Sequence, residues 1–433
     1  MSDDAFRDPA GQLRTPRTNR RKFLQGAAAL GAAATGAIAG ARVIVPVNAQ
    51  DAVKVTFWTE HTDPDLTIMK SMVETYNAQA KGHQVELVQI PPAQVTDNTK
   101  LLTAVRGGTG PDVYNLDRFI VASRAADGAL QDLTELMGGQ NYLSNYIPFA
   151  QQEATFAGKP YALPWDTDAR VLYYNKMMIQ DAGVDPAELD PAKGPVTWDR
   201  VKEISDKINK QDGSGNFTQM GFIPWLNQGW HYTYGFSYGG TFFDQTKCEV
   251  SPDDAPIVTA FQWVQDYCKA LDADKVSAFG SPSMQPGFDP AQHPFHTKTL
   301  AMQITGDWEI AQLAKYAPDI DYGITWMPVP KAGDNSVTWA GGWSVVIPQG
   351  AKHPKEGFAF MQWFAGEPGQ RIYTQQSSHL PTWKSLLSDS ALFEQRHQFF
   401  TQILPTAKNR PPLPVGAKYW DELTVAWQKS CLD

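Results

Sequence analysis

The sequence predicts an α/β protein of two domains, and three observations lead there. Its 433 residues exceed what one hydrophobic core usually holds. Hydrophobic residues make up 42% and charged residues 19%, the balance of a folded globular chain rather than a disordered one. From residue 53 onward, strand-like and helix-like runs alternate, the pattern of a parallel sheet with helices on its faces.

Val53, Val55 and Phe57 alternate with polar residues and lead to Trp58-Thr59-Glu60, which reads as a strand. Asp63-Pro64 offers an N-cap followed by proline at the first helical position. Leu66, Met69, Val73 and Tyr76 then form one apolar helical stripe, stopped at Lys81-Gly82. Val85 to Ile90 is a second strand, ended by Pro91-Pro92. Leu101, Leu102 and Val105 mark a helix closed by Gly107-Gly108, and Pro111 to Asp117 is a third strand. Further on, Val171 to Lys176 is strand-like, and Thr197 caps a helix carrying Val201, Ile204 and Ile208. Asp212-Gly213-Ser214-Gly215-Asn216 lacks the acidic spacing of an EF-hand and reads as a turn. Ile257, Phe261 and Val264, with Cys268 or Leu271, form another amphipathic helix. In open α/β sheets ligands bind beyond the carboxyl ends of strands, which makes Glu60 and Asp117 candidates by position.

Ahead of the first strand, Arg14, Arg17, Arg20, Arg21 and Lys22 form a basic region. An uncharged Ala/Gly-rich stretch runs from Ala27 to Ala41, and Val47-Asn48-Ala49 ends in a small residue. Basic region, apolar region and cleavage site in that order describe an export signal, cleaved near Ala49. Arg20-Arg21-Lys22-Phe23-Leu24 resembles the twin-arginine signal, so residues 1–49 are expected to engage the twin-arginine export machinery. The apolar stretch is too short to span a bilayer core of about 30 Å. Cys248, Cys268 and Cys431 lie far from the cleavage site, which argues against a lipoprotein anchor. In an exported chain Cys248 and Cys268 could pair, or all three could stay as thiols; spacing leaves both open. The net charge of −9 gives no attraction for nucleic acid.

Several segments, in order, resemble the bacterial extracellular solute-binding proteins that serve sugar importers. They are Val53 to Trp58, Gly110-Pro111-Asp112-Val113, and Gly158 to Pro164 followed by Leu172 to Lys176. Gly183-Val184, Pro195 to Asp199, Lys298 to Trp308, Ala340 to Trp343 and Glu356 to Phe364 continue the match. Thr297 stands where a glycine is common, and Leu380-Pro381-Thr382-Trp383 lacks a basic residue that many relatives carry.

The resemblance implies a two-lobed periplasmic-binding-protein fold, type II-like, each lobe a mixed, mostly parallel sheet flanked by helices. Lobe I would be 50–165 plus 344–405, and lobe II 166–343 plus 406–433. A hinge would lie at crossings near Leu163–Asp168, Gly341–Val345 and Leu404–Arg410. It implies a periplasmic monomer that takes a mono- or oligosaccharide and delivers it to the membrane permease of an ABC importer.

A sugar needs aromatic platforms for its C–H faces and carboxylates or a planar Arg for its hydroxyls. With 14 Trp and 15 Tyr the chain is well supplied. Glu60 and Asp117 would accept hydroxyl hydrogen bonds, as would Asp166 beside Trp165 at the first crossing. Trp308 and Trp343 match recurrent stacking positions, with Gly342 letting backbone approach closely. Arg410 resembles a late family arginine that reaches the ligand. No catalytic residue, cofactor or metal is expected. A glycerol phosphate or polyol is an alternative ligand, although phosphate would demand more cationic groups. A secreted glycoside hydrolase is the alternative of another class, with Asp166 and Asp168 as a conceivable pair. His293 and His296 lack an evident third metal ligand.

Overall fold

The computed structural model describes residues 52–91, 99–280 and 288–432. The export signal expected at 1–49 lies outside them.

β1 (Val53–Thr59) buries Val55, Phe57 and Thr59 on one face, as its alternation requires. α1 (Asp65–Gln79) buries Leu66, Met69, Val73 and Tyr76, the expected stripe. Asp63 precedes the helix, and its carboxylate accepts the Thr67 N–H and hydroxyl at 3.2 and 2.6 Å. β2 (His83–Gln89) pairs parallel with β1, from Val53 opposite His83 to Thr59 opposite Gln89. α2 (Thr99–Arg106) leads to β3 (Val113–Asp117), parallel to β1 on its other side.

β4 (Ala162–Pro164) still belongs to this first sheet. The short β5 (Asp166–Thr167) follows, and β6 (Val171–Asn175) enters a second sheet. The helix Trp198–Ile208 starts at Thr197, whose side chain accepts the Arg200 N–H at 3.1 Å. β7 (Met302–Thr305) and β8 (Tyr322–Thr325) flank β6, both antiparallel to it. β9 (Trp339–Ala340) precedes β10 (Trp343–Val346), which rejoins the first sheet antiparallel to β3 and β4. β11 (Leu380–Pro381) pairs with β5, and β12 (Lys408–Asn409) pairs with β9. The first sheet therefore runs β2–β1–β3–β10–β4 and the second β7–β6–β8.

The architecture is α/β and two-lobed, each sheet with its own core. Val55, Phe57, Met69, Phe360 and Phe364 pack under the first sheet. Leu172, Ile204, Val264 and Trp427 pack beside the second. The second sheet is antiparallel where a mostly parallel one was expected, because the long β6–β7 connection lets the chain return in either direction. Phe393, Phe400 and Ile403 pack with Val171, Tyr173 and Ile324. That part of 344–405 thus shares the core of the second sheet.

The pairing of Cys248 with Cys268 is not formed. Cys248 is exposed in a turn, whereas Cys268 is buried on the helix Ala255–Lys269; all three cysteines are free thiols. Among the described residues, no group of three His, Cys, Asp or Glu side chains is placed to hold a metal. His296 instead bonds the Glu309 carboxylate at 2.8 Å and the Pro290 carbonyl at 2.6 Å.

Candidate functional site

The chain passes from the first sheet to the second between Pro164 and Val171, and returns just before Trp343. Arg118, at the end of β3, ties these two passages together. It is fully buried, and its Nε donates to Glu153 Oε2 at 2.6 Å. Its two terminal nitrogens donate to the carbonyls of Asp166 and Gly341. A guanidinium presents donors in a fixed planar fork, so one side chain can hold three acceptors at once. The Thr167 hydroxyl donates to the same Gly341 carbonyl at 3.1 Å, and the Gly341 N–H donates to Asp168 Oδ1 at 2.6 Å. Gly342 has φ of +125°, and a Cβ there would lie 2.4 Å from the Asp166 carbonyl oxygen. Only glycine fits both demands.

Four aspartates converge on this junction. Asp166 Oδ1 accepts the Trp343 N–H at 2.5 Å. Its Oδ2 makes no hydrogen bond within the chain and lies 3.8 Å from His379 Nδ1. Asp307 Oδ2 accepts the Leu380 N–H at 2.7 Å, while Oδ1 is likewise without a partner. Burial pushes both carboxyls well above the usual range; the charge of Asp168 adds to the effect in each case. Asp168 itself is ion-paired with Arg170.

Asp65 sits at the start of α1, its side chain 22% exposed, and accepts the Tyr373 hydroxyl at 3.1 Å. Burial raises it to about 6, against the opposing Tyr373 hydrogen bond. An unfolded Asp titrates near 3.9. Between those values the folded state holds the extra proton. This group therefore favours folding at low pH, and its contribution is lost as pH rises from about 4 to about 6. Asp65→Asn should flatten part of the fall in unfolding free energy across that window; an unchanged slope would show that Asp65 titrates normally.

Aromatic rings line the same place. Trp165 stacks on Tyr373 at 4.0 Å, Tyr373 on His379 at 5.3 Å, and His379 on Trp308 at 5.3 Å. The stack runs from the first core toward Trp308 in the second lobe. On the other side the His61 ring lies 4.4 Å from that of Trp343. Burial lowers His61 to about 4 and His379 to about 3, so both are neutral imidazoles near pH 7. His61 Nε2, His379 Nδ1 and Trp165 Nε1 make no hydrogen bond within the chain. Buried polar atoms are nearly always paired, so such a cluster of unused donors and acceptors is the mark of a site. Part-exposed Trp308 and Trp343 offer ring faces beside it.

The structure brings Asp166, Gly342 and Trp343 into direct contact at the junction, with Trp308 joined to them through His379. Asp117 lies opposite Trp343 in the sheet and pairs with Arg410 at 2.8 Å. The Arg410 guanidinium also lies 3.8 Å from the Phe119 ring centroid, with Nε unpartnered. Asp117 and Arg410 are thus spent largely on each other. Glu60, at the end of β1, accepts the Tyr114 hydroxyl at 2.6 Å. The ring of Trp165 is fully buried against Tyr373 and Phe364, so of that residue only the indole N–H is placed for hydrogen bonding.

Sequence reasoning missed His61, Asp65, Arg170, Asp307 and His379 as site residues. Asp168-Ala169-Arg170 inside an apolar run was a readable signal, since charges buried there need a partner. His379 gave none. A separate cavity of about 980 Å³ is lined by Gln152, Thr241, Asp244, Asp254 and Lys408 among others, and by none of the eight candidates.

Residues 58–371, well over half of the chain, match the bacterial extracellular solute-binding proteins. A maltotriose-binding protein of Pyrococcus abyssi is 21% identical over 375 residues, 85% of this chain and 75% of that one. Among solved structures, one determined with mannobiose bound superposes with a TM-score of 0.78 at 23% identity, covering 88% of this chain and 95% of that one. The maltotriose-binding protein of Thermus thermophilus, bound with maltotriose, gives 0.67 at 20% identity, covering 88% and 94%. The chain belongs to the bacterial extracellular solute-binding protein family.

Proposed function

We propose that this chain is the exported, periplasmic solute-binding subunit of an ABC importer and takes a mono- or oligosaccharide between its lobes. One observation carries the reading: Asp166 Oδ2 and Asp307 Oδ1 are buried and unpartnered at a junction where Asp166 holds the Trp343 N–H and lies against His379, which stacks on part-exposed Trp308. Carboxyl groups and neutral imidazole nitrogens bond sugar hydroxyls, and indole faces cover sugar C–H faces. The lobes divide as 50–165 with 344–405 and 166–343 with 406–433, Phe393–Leu404 forming a shared seam. Asp307, just past β7 of the second sheet, holds the Leu380 N–H next to His379, which joins the ring stack from Tyr373 to Trp308. Ligand drawing the lobes together would stabilise the closed form that the permease receives. The maltotriose and mannobiose bound by the similar proteins support this ligand class. Export through the twin-arginine machinery and a monomeric mature protein complete the proposal.

The hydrolase alternative loses support. Its conceivable pair is Asp166 with Asp168, and Asp168 is committed to Arg170 and to the Gly341 N–H.

A thermal-shift screen of the mature protein against mono-, di- and oligosaccharides, polyols and glycerol phosphates tests the proposal. A ligand that binds only the folded state raises the midpoint by mass action. At least one oligosaccharide should do so without release of reducing sugar. No shift with any carbohydrate, or turnover of one, would sink it. Trp308→Ala should weaken binding of that sugar by roughly tenfold to a hundredfold, the usual scale for a buried aromatic contact, and keep the unliganded melting point near wild type.

A further inference from the structure

We propose that Cys268 and Cys431 close a disulfide in the exported protein and thereby tie the helix Gly416–Leu432 to the second lobe. Both side chains are 3% exposed and share one core with Leu172, Tyr234 and Trp427. The helices that carry them, Ala255–Lys269 and Gly416–Leu432, pack against each other. The neighbouring Cys268 thiol and burial push the Cys431 thiol far up. Cys248 is exposed in a turn and takes no part.

The helix Gly416–Leu432 touches both lobes. Near its start Ala417 N–H donates to Ser123 Oγ at 3.3 Å, and Trp420 packs on Phe119 beside the end of β3. Near its end Trp427 and Cys431 sit in the second core. A covalent link at Cys431 would fix the helix to the second lobe and leave lobe motion to be absorbed at the Ser123 and Phe119 end.

The chemistry is thiol–disulfide exchange with an oxidised dithiol protein. The Cys431 thiolate attacks that protein's disulfide and forms a mixed disulfide, releasing one thiolate. Cys268 then attacks Cys431 Sγ and releases the second. Two S–H bonds are lost and one S–S bond forms; the two electrons and two protons pass to the exchange protein, which becomes a dithiol. A raised thiol pKa makes this slow in the packed state. Cys431 lies in the last turn of its helix, where opening costs least.

The inference rests on the export reading, and the test separates the two. The full chain is expressed with its own leader, fractionated, denatured without reductant, alkylated and mapped by mass spectrometry. Recovery only in the cytoplasm contradicts export. In exported protein, alkylation at Cys248 alone and a linked pair of peptides bearing Cys268 and Cys431 are expected. Three alkylated cysteines, or a Cys248–Cys268 link, overturns the inference. Reductant should lower the melting point of the exported wild type and leave that of Cys431→Ser unchanged; a wild type indifferent to reductant also counts against it.

Discussion

Replacing Gly342 with alanine is expected to destabilise the protein by about 2–5 kcal/mol, the sum of a strained backbone and an overpacked contact. The residue sits at φ of +125°, where side chains are rarely found. The added Cβ would meet the Asp166 carbonyl oxygen at 2.4 Å, Arg118 Nη1 at 2.8 Å and Asp166 Oδ1 at 2.9 Å. None of these can step aside cheaply, because Arg118 is locked to Glu153 and to both passages between the sheets. Gly82→Ala is the contrast. It also has positive φ, +85°, but a Cβ there meets nothing within 4 Å. Its cost should stay near 1 kcal/mol, from conformation alone. Urea denaturation of both variants measures the difference. Equal midpoints would mean that contact at the junction adds nothing.

Arg118→Met should cost about 3–5 kcal/mol, as expected when one partner of a buried ion pair is removed. It strands the Glu153 carboxylate, whose side chain is 1% exposed, and deprives the Asp166 and Gly341 carbonyls of a donor. Adding Glu153→Gln to Arg118→Met removes the stranded charge and should recover part of the loss. The two carbonyls would still lack their donor, so recovery should be incomplete. Full recovery would show that Arg118 serves only to neutralise Glu153. No recovery would show that its value lies in the carbonyls.

The first sheet was legible because β1 and β2 alternate and α1 carries an apolar stripe. Val55 and Phe57 point inward, and Leu66, Met69, Val73 and Tyr76 share a buried face. The pairing direction of β7 and β8 was not legible, since a long connection leaves no local trace of where a strand returns. The short motifs Trp165-Asp166, Gly306-Asp307-Trp308 and Gly341-Gly342-Trp343 lie far apart in the sequence, and the fold brings them to one junction. Their roles within it were not fixed by residue type. Trp165 and Asp166 are neighbours, yet the indole enters the core and the carboxylate faces His379. Asp117 and Arg410 are candidates of the same kind as Asp166, but only folding shows that they meet each other. His379 is separated by more than three hundred residues from His61, and both reach the site only through tertiary contact.

The proposed carbohydrate site is the junction of Asp166, Asp307, Trp308 and Trp343. Titration calorimetry of the best oligosaccharide from the screen, on wild type, Trp308→Ala and Trp343→Ala, tests it most directly. One saturable site in the wild type, weakened in both variants while each still unfolds cooperatively, is the predicted result. Undiminished affinity in both variants would place the sugar elsewhere and rule out this junction.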